Sequence, residues 1–166
     1  ENSLFIARQG VGSHGNEFIR DAIQKGASCI ITDKKIDEEL DIPIYCFHNL
    51  EHRILEILYS FYDLSEDDFI FHGVTGTNGK TTTAFMAHNI IRALKRPSVY
   101  IGTLGAIIND DHFETKGNTT PGIFEIFQIL QDCKFQQKTS IFIEISSHAL
   151  AQKRIGNIFF SQTILL

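Results

Sequence analysis

One lysine, several threonines and a set of glycines stand together in a stretch that could hold a polyphosphate: Gly73-Val74-Thr75-Gly76-Thr77-Asn78-Gly79-Lys80-Thr81. An apolar run, Phe69 to Val74, precedes it and a helix-forming run follows it. That strand–loop–helix setting is what a phosphate loop requires. Glycines let the backbone turn until its N–H groups converge on phosphate oxygens, and the N-terminus of the next helix adds a partial positive charge. Lys80 can reach the β- and γ-phosphates of a nucleotide, and the Thr81 hydroxyl is placed to bind Mg²⁺. Gly76, Thr77, Asn78, Gly79, Lys80, Thr81 and Thr82 are therefore the candidate ATP-binding residues, and Lys80 is the candidate catalytic cation. The general pattern opens on a glycine where this chain has Val74, so the loop departs from it there.

Two further constellations carry groups that could do chemistry. Glu144-Ile145-Ser146-Ser147-His148-Ala149-Leu150 continues to Gln152-Lys153-Arg154. A carboxylate inside an apolar strand is costly to bury without a cation. At the carboxyl end of a parallel strand, Glu144 could aim at the Mg²⁺ of a nucleotide, or it could close an ordinary ion pair. The second, Asn118-Thr119-Thr120-Pro121, precedes a helix. Its amide and hydroxyls, with free helical N–H groups, suit a charged or polyhydroxylated ligand. The same residues could equally be a helix cap with proline near the first turn.

These groups must be positioned by alternating strands and helices. Leu4 to Ala7, Cys29 to Thr32 and Ile44 to Phe47 read as strands, with helices over Asn16 to Lys25 and Leu50 to Tyr62. Phe69 to Val74, Ser98 to Ile101 and Ile141 to Ile145 are further strands. Helices are expected from Lys80 to Lys95, with Ala84, Ala87, Ile91 and Leu94 inward, and from Pro121 to Cys133. Gly105 to Thr115 reads as a hairpin with Asn109-Asp110-Asp111 at its tip. The alternation predicts an α/β fold: a small N-terminal α/β domain, residues 1–66, then a P-loop-type domain, residues 67–166, with a mostly parallel sheet flanked by helices. The acidic break Leu64-Ser65-Glu66-Asp67-Asp68 marks the expected boundary.

Composition narrows the classes. The 166 residues are 43% hydrophobic and 21% charged, enough for a buried core. A net charge of -5 argues against a general nucleic-acid binder. Cys29, Cys46 and Cys133 are scattered and odd in number, as for free thiols in a reducing compartment. No run approaches the roughly 18 apolar residues of a membrane span. The chain opens on Glu1 and at once on a strand, so a missing N-terminus is expected.

The loop Gly76-Thr77-Asn78-Gly79-Lys80-Thr81-Thr82 resembles the form that Mur ligases and their relatives use. The Asn118-to-Pro121 and Glu144-to-His148 segments, with Gln152 and Arg154, are similar to the MurE type within that family. The resemblance covers nearly the whole chain in one consistent order. It implies a cytoplasmic ATP-dependent ligase, with Mg²⁺, that adds the third amino acid to UDP-N-acetylmuramoyl-L-Ala-D-Glu through an acyl phosphate in peptidoglycan synthesis. By the same resemblance Glu144 binds metal with Thr81, and Asn118, Thr119, Thr120, Ser146, Gln152 and Arg154 hold the muramoyl peptide. Val11, Gly12 and Ser13 match the turn that contacts the uridine nucleotide, although those residue types are also those of a plain loop. The family's Ser-Arg uridine segment, its carbamylated lysine and the domain that reads the incoming amino acid have no counterpart within the chain. A fragment, inactive alone, is therefore expected, as is a monomer with a UDP-muramoyl dipeptide and an amino acid as substrates. The rival readings are another amide ligase of the superfamily, cyanophycin synthetase-like or acting on lipid-linked muramoyl peptide, and a nucleotide-binding remnant without chemistry.

Overall fold

The computed structural model describes residues 3–10, 12–133 and 138–166. They divide into two compact units, residues 1–54 and 55–166.

The first unit is built on a three-stranded parallel sheet in the order β1 (Ser3–Ala7), β2 (Ala27–Thr32), β3 (Ile44–Cys46). A short 3-10 helix, Gly15–Phe18, leads into α1 (Ile19–Gln24), so the helix expected from Asn16 begins with a tighter turn. Ala7, Ile19 and Ile30 form the buried centre, with Phe5, Ile23 and Ile44 packed around it. β2 is apolar at most positions because it has neighbours on both sides.

The division between units falls inside α2 (Leu50–Phe61), ahead of the acidic break at which the domain boundary is expected. The second half of α2 carries Tyr59, whose ring meets Phe127 edge-on at 4.8 Å, and Tyr62 follows at 6.4 Å from the same ring. These aromatic contacts attach it to the second unit. The acidic stretch is a capped 3-10 turn, Glu66–Asp68, in which Ser65 accepts from the Asp67 N–H at 3.3 Å.

The second unit holds a six-stranded sheet in the order β7-β6-β5-β8-β4-β9. β4 (Phe69–Thr75), β5 (Ser98–Gly102), β8 (Thr139–Ile145) and β9 (Gln162–Leu165) run parallel. β6 (Gly105–Ile108) and β7 (Asp111–Phe113) turn back as the expected hairpin, with Asn109 left-handed at its tip (φ 54°). α3 (Lys80–Ala93) covers one face, packing Ala84 against Val74, Tyr100, Ile107 and Phe142. Leu94, expected inward, is 63% exposed, because the helix ends at Ala93 and Lys95 takes φ 59°. His88 is fully buried in its stead and bonds Ser98 Oγ through Nδ1 at 2.9 Å. α4 (Ile123–Leu130) buries Ile123, Ile126, Phe127 and Leu130, and α5 (Ser147–Ala151) follows β8. β8 lies between β5 and β4 and is buried at every position. The mixed α/β architecture with a mostly parallel sheet is the one expected from the sequence.

Candidate functional site

The site is assembled at the carboxyl edge of the six-stranded sheet, where β4, β5 and β8 end side by side. β4 runs into Gly76-Thr77-Asn78-Gly79, and α3 starts at Lys80. Two positive φ values, 133° at Gly76 and 82° at Gly79, turn the chain here, in a region where a side chain is strained. The Lys80 ammonium lies back across the loop and donates to the carbonyls of Gly76 at 2.8 Å and Thr77 at 3.3 Å. Thr77, Asn78 and Thr82 are exposed, and Thr81 is half-buried in the first turn of α3. The loop thus brings one cation to a helix N-terminus, an arrangement that receives anions.

The register places a carboxylate under that turn. Val74 pairs with Glu144 across β4 and β8, and Tyr100 pairs with Phe142 across β5 and β8. In parallel strands paired residues share a face, so Val74, Tyr100, Phe142 and Glu144 all face α3. Glu144 is 0% exposed. Its Oε2 accepts from Thr81 Oγ1 at 2.9 Å and from Thr103 Oγ1 at 3.2 Å. Its Oε1 accepts from the Thr103 N–H at 3.0 Å and from the Tyr100 hydroxyl. A salt bridge, the other reading of this residue in the sequence, is not made among the described residues: all four donors are neutral. Burial, and then the bond to Glu144, pushes the Tyr100 phenol well above its ordinary range.

The donor set suits a hard divalent cation held jointly with phosphate. Mg²⁺ is commonly bound by one or two protein oxygens plus phosphates and water, and Thr81 and Glu144 offer such a pair. Among the described residues no group of three or more His, Cys, Asp or Glu side chains gathers into a protein cage.

Thr120 ties the Asn118 loop to the same strand. Its hydroxyl donates to the Glu144 carbonyl at 2.7 Å and accepts from the Ser146 N–H at 2.9 Å. Thr119 Oγ1 lies 3.4 Å from Thr103 Oγ1. Thr120 is buried and structural in its contacts, whereas Asn118 is exposed. Asn118 and Thr119 line an open cavity of about 570 Å³ with Thr103, His112 and Glu114. Ser146 caps α5 by accepting from the Ala149 N–H at 3.2 Å, so its hydroxyl already has a local task. Beyond α5, Arg154 Nε donates to Gln152 Oε1 at 2.7 Å, and the Arg154 carbonyl accepts from the Ile123 N–H at 2.8 Å. That backbone bond sets the Gln152–Arg154 pair beside the start of α4, just after Pro121.

The first unit holds the remaining candidates. Val11 lies outside the described residues. Gly12 is exposed, and the Ser13 carbonyl accepts from the Gly10 N–H at 2.9 Å, closing a tight turn. Gly15 passes so close to β1 that a Cβ would stand 2.6 Å from Ala7 Cα. His14 is buried; its Nδ1 accepts from the Asn16 N–H at 3.0 Å, which leaves the ring proton on Nε2, 2.6 Å from Asp33 Oδ1. This pair braces the turn.

Three participants at Glu144 escape sequence reasoning: Tyr100, Gly102 and Thr103. A signal exists in part. A tyrosine within a buried strand needs a partner for its hydroxyl, and Gly102 two residues on makes room on the same face.

The chain is similar to known proteins in sequence and in fold. Residues 74–165 match the Mur ligase middle domain family. The chain is 34% identical over 163 residues to a UDP-N-acetylmuramoyl-L-alanyl-D-glutamate–2,6-diaminopimelate ligase of Cytophaga hutchinsonii, covering 97% of this chain and 33% of that protein. It is 30% identical to UDP-N-acetylmuramyl-tripeptide synthetase 2 of Oceanobacillus iheyensis, with the same two coverages. The chain therefore spans about a third of the length of these relatives. Among solved structures, a UDP-N-acetylmuramoyl-L-alanyl-D-glutamate–2,6-diaminopimelate ligase superposes with a TM-score of 0.73 at 22% identity, over 98% of this chain and 33% of the other. The MurF ligase of Thermotoga maritima in complex with ADP gives 0.54 at 21% identity, over 89% and 30%. At these identities the structural likeness concerns the fold.

Proposed function

The chain belongs to the Mur ligase family through its middle domain, and from that premise we propose that it is part of a MurE-type ATP-dependent ligase. In this reading the enzyme joins a third amino acid to UDP-N-acetylmuramoyl-L-Ala-D-Glu. The second unit supplies the ATP site and the first unit part of the UDP-substrate site, with Gly12 and Ser13 at the uridine turn. The observation that carries the reading is the fully buried Glu144 with Thr81 Oγ1 at 2.9 Å, at the mouth of a phosphate loop.

The reaction divides into two transfers. The γ-phosphoryl group of ATP passes to the side-chain carboxylate of D-Glu, and ADP leaves. The amine of the incoming amino acid then attacks the acyl carbon, phosphate leaves, and the amine loses a proton. Loop N–H groups of Gly76 to Thr82 bind the phosphates, and Lys80 leaves its carbonyl partners to neutralise charge on the transferring group. Thr81 and Glu144 would hold Mg²⁺, which would supply further neutralisation of the phosphates. Asn118 and Thr119 at the cavity and the Gln152–Arg154 pair orient the muramoyl peptide, while Thr120 and Ser146 fasten the Asn118 loop to the end of β8. Positioning supplies most of the acceleration.

The reading extends to a cytoplasmic location, consistent with no helix among the described residues being long and apolar enough to cross a membrane. A second reading, a nucleotide-binding piece without chemistry, applies to the 166-residue chain by itself, since it spans only a third of its relatives. The test is a ligation assay on the full-length protein with UDP-N-acetylmuramoyl-L-Ala-D-Glu, ATP and a panel of lysine, diaminopimelate and ornithine. ADP release that depends on both the dipeptide and one amino acid is expected. Release indifferent to the dipeptide overturns the assignment and favours another amide ligase.

A further inference from the structure

The Glu144 carboxylate is held from two sides, by Thr81 in the first turn of α3 and by Tyr100 on β5 with Thr103 in the turn that follows it. Tyr100 is fully buried and its hydroxyl meets Glu144 Oε1. The same phenol oxygen accepts from the Leu104 N–H at 3.3 Å. A tyrosine hydroxyl has one proton; with a lone pair committed to Leu104, that proton is directed at Glu144. Thr103 donates twice, from its N–H to Oε1 at 3.0 Å and from its hydroxyl to Oε2 at 3.2 Å. Gly102 lies between them, one residue past the last β5–β8 pair, Ile101 with Ile143. A Cβ at 102 would overlap the Glu144 carboxylate and stand 2.6 Å from the Tyr100 hydroxyl. The cradle therefore exists only because β5 and the turn after it carry Tyr100, Gly102 and Thr103 in that order.

We propose that Tyr100 and Thr103 are positioning residues that fix the Glu144 carboxylate, Oε1 held by the Tyr100 hydroxyl and the Thr103 N–H and Oε2 by the Thr103 hydroxyl, so that Oε2 is the oxygen turned toward Thr81. This rests on the assignment of Thr81 and Glu144 as the metal-binding pair. Thr103 has a second consequence. Its hydroxyl lies 3.4 Å from Thr119 Oγ1 in the wall of the cavity, so occupancy of that cavity and the setting of the carboxylate share one side chain. Groups that orient a metal ligand typically contribute 10- to 100-fold in metal affinity.

The experiment measures Mn²⁺ binding by electron paramagnetic resonance in the full-length protein with ADP present, and ADP binding separately with chelator. Wild type, Tyr100→Phe, Thr103→Val and Thr103→Ser are compared, with thermal unfolding recorded for each. Tyr100→Phe and Thr103→Val are expected to weaken Mn²⁺ about 10-fold or more, to leave metal-free ADP affinity within about twofold, and Thr103→Ser is expected to restore binding. General damage to the fold would lower both affinities. If Tyr100→Phe does not fold, the Thr103 series decides alone, because that residue is exposed in a turn. Wild-type Mn²⁺ affinity retained by folded Tyr100→Phe and by Thr103→Val overturns the inference while leaving the metal assignment intact. Absence of ADP-dependent Mn²⁺ binding in wild type overturns the metal assignment and the inference with it.

Discussion

Lys80 donates to the carbonyl of Gly76 at 2.8 Å, spanning the loop that both residues frame. The ammonium is held on the Gly76 and Thr77 carbonyl oxygens at the head of α3, within reach of a group bound at the loop. Lys80→Ala in the full-length protein should reduce turnover about 10²-fold or more, the usual scale for loss of one such electrostatic group. Steady-state ligation rates test this; turnover near wild type would remove the phosphate-loop assignment.

Arg154 offers a second measurement. Its guanidinium is fixed by Gln152 at 2.7 Å, and its backbone carbonyl accepts from the Ile123 N–H at the start of α4. A planar fork held this way can grip a carboxylate or phosphate in two places, and lysine cannot copy it. Arg154→Lys should weaken the UDP-muramoyl dipeptide by roughly 1.5–3 kcal/mol, with little change in the KM for ATP. Kinetics with each substrate varied in turn decide it; a larger effect on ATP contradicts the assignment of Arg154 to the muramoyl side.

Gly102→Ala probes the space under Glu144. The added methyl must displace either the carboxylate or the Tyr100 ring, and neither has open room. Overpacking of this kind costs roughly 1–3 kcal/mol. A denaturant midpoint unchanged from wild type would mean that the carboxylate moves freely, contrary to its four hydrogen bonds.

His88 predicts a pH dependence of stability. Burial, then the nearby Arg92, depresses its pKa from 6.5 to about 4. The folded chain therefore keeps the ring neutral where the unfolded chain protonates it. Stability is complete above pH 6.5 and is lost as pH falls toward 4, about 2 kcal/mol of it by pH 5. His88→Gln should show a smaller loss between pH 7 and pH 5 in urea unfolding. An equal loss in both proteins would assign the acid sensitivity to other groups.

Much of this was legible in residue order alone. The phosphate loop declares itself through glycines and a lysine between a strand and a helix, because local backbone geometry demands them. Glu144 stands out for the opposite reason, a charge where an apolar run needs none. Tyr100 and Thr103 did not stand out, since a tyrosine in a strand and a threonine in a turn are ordinary locally; only the register of β5 on β8 brings them to Glu144. The same limit applies to Leu94, whose helical spacing is correct but whose helix stops one residue earlier. His88 has a spacing that places it inward too, but a polar residue on an apolar stripe carries no sign of the Ser98 partner that permits it.

The β7 rim of the six-stranded sheet bears on handling the chain in solution. There β7 is three residues long, exposed throughout and charged at Asp111, features that discourage another strand from adding. An alanine in place of Asp111 should therefore hasten the onset of turbidity at high concentration.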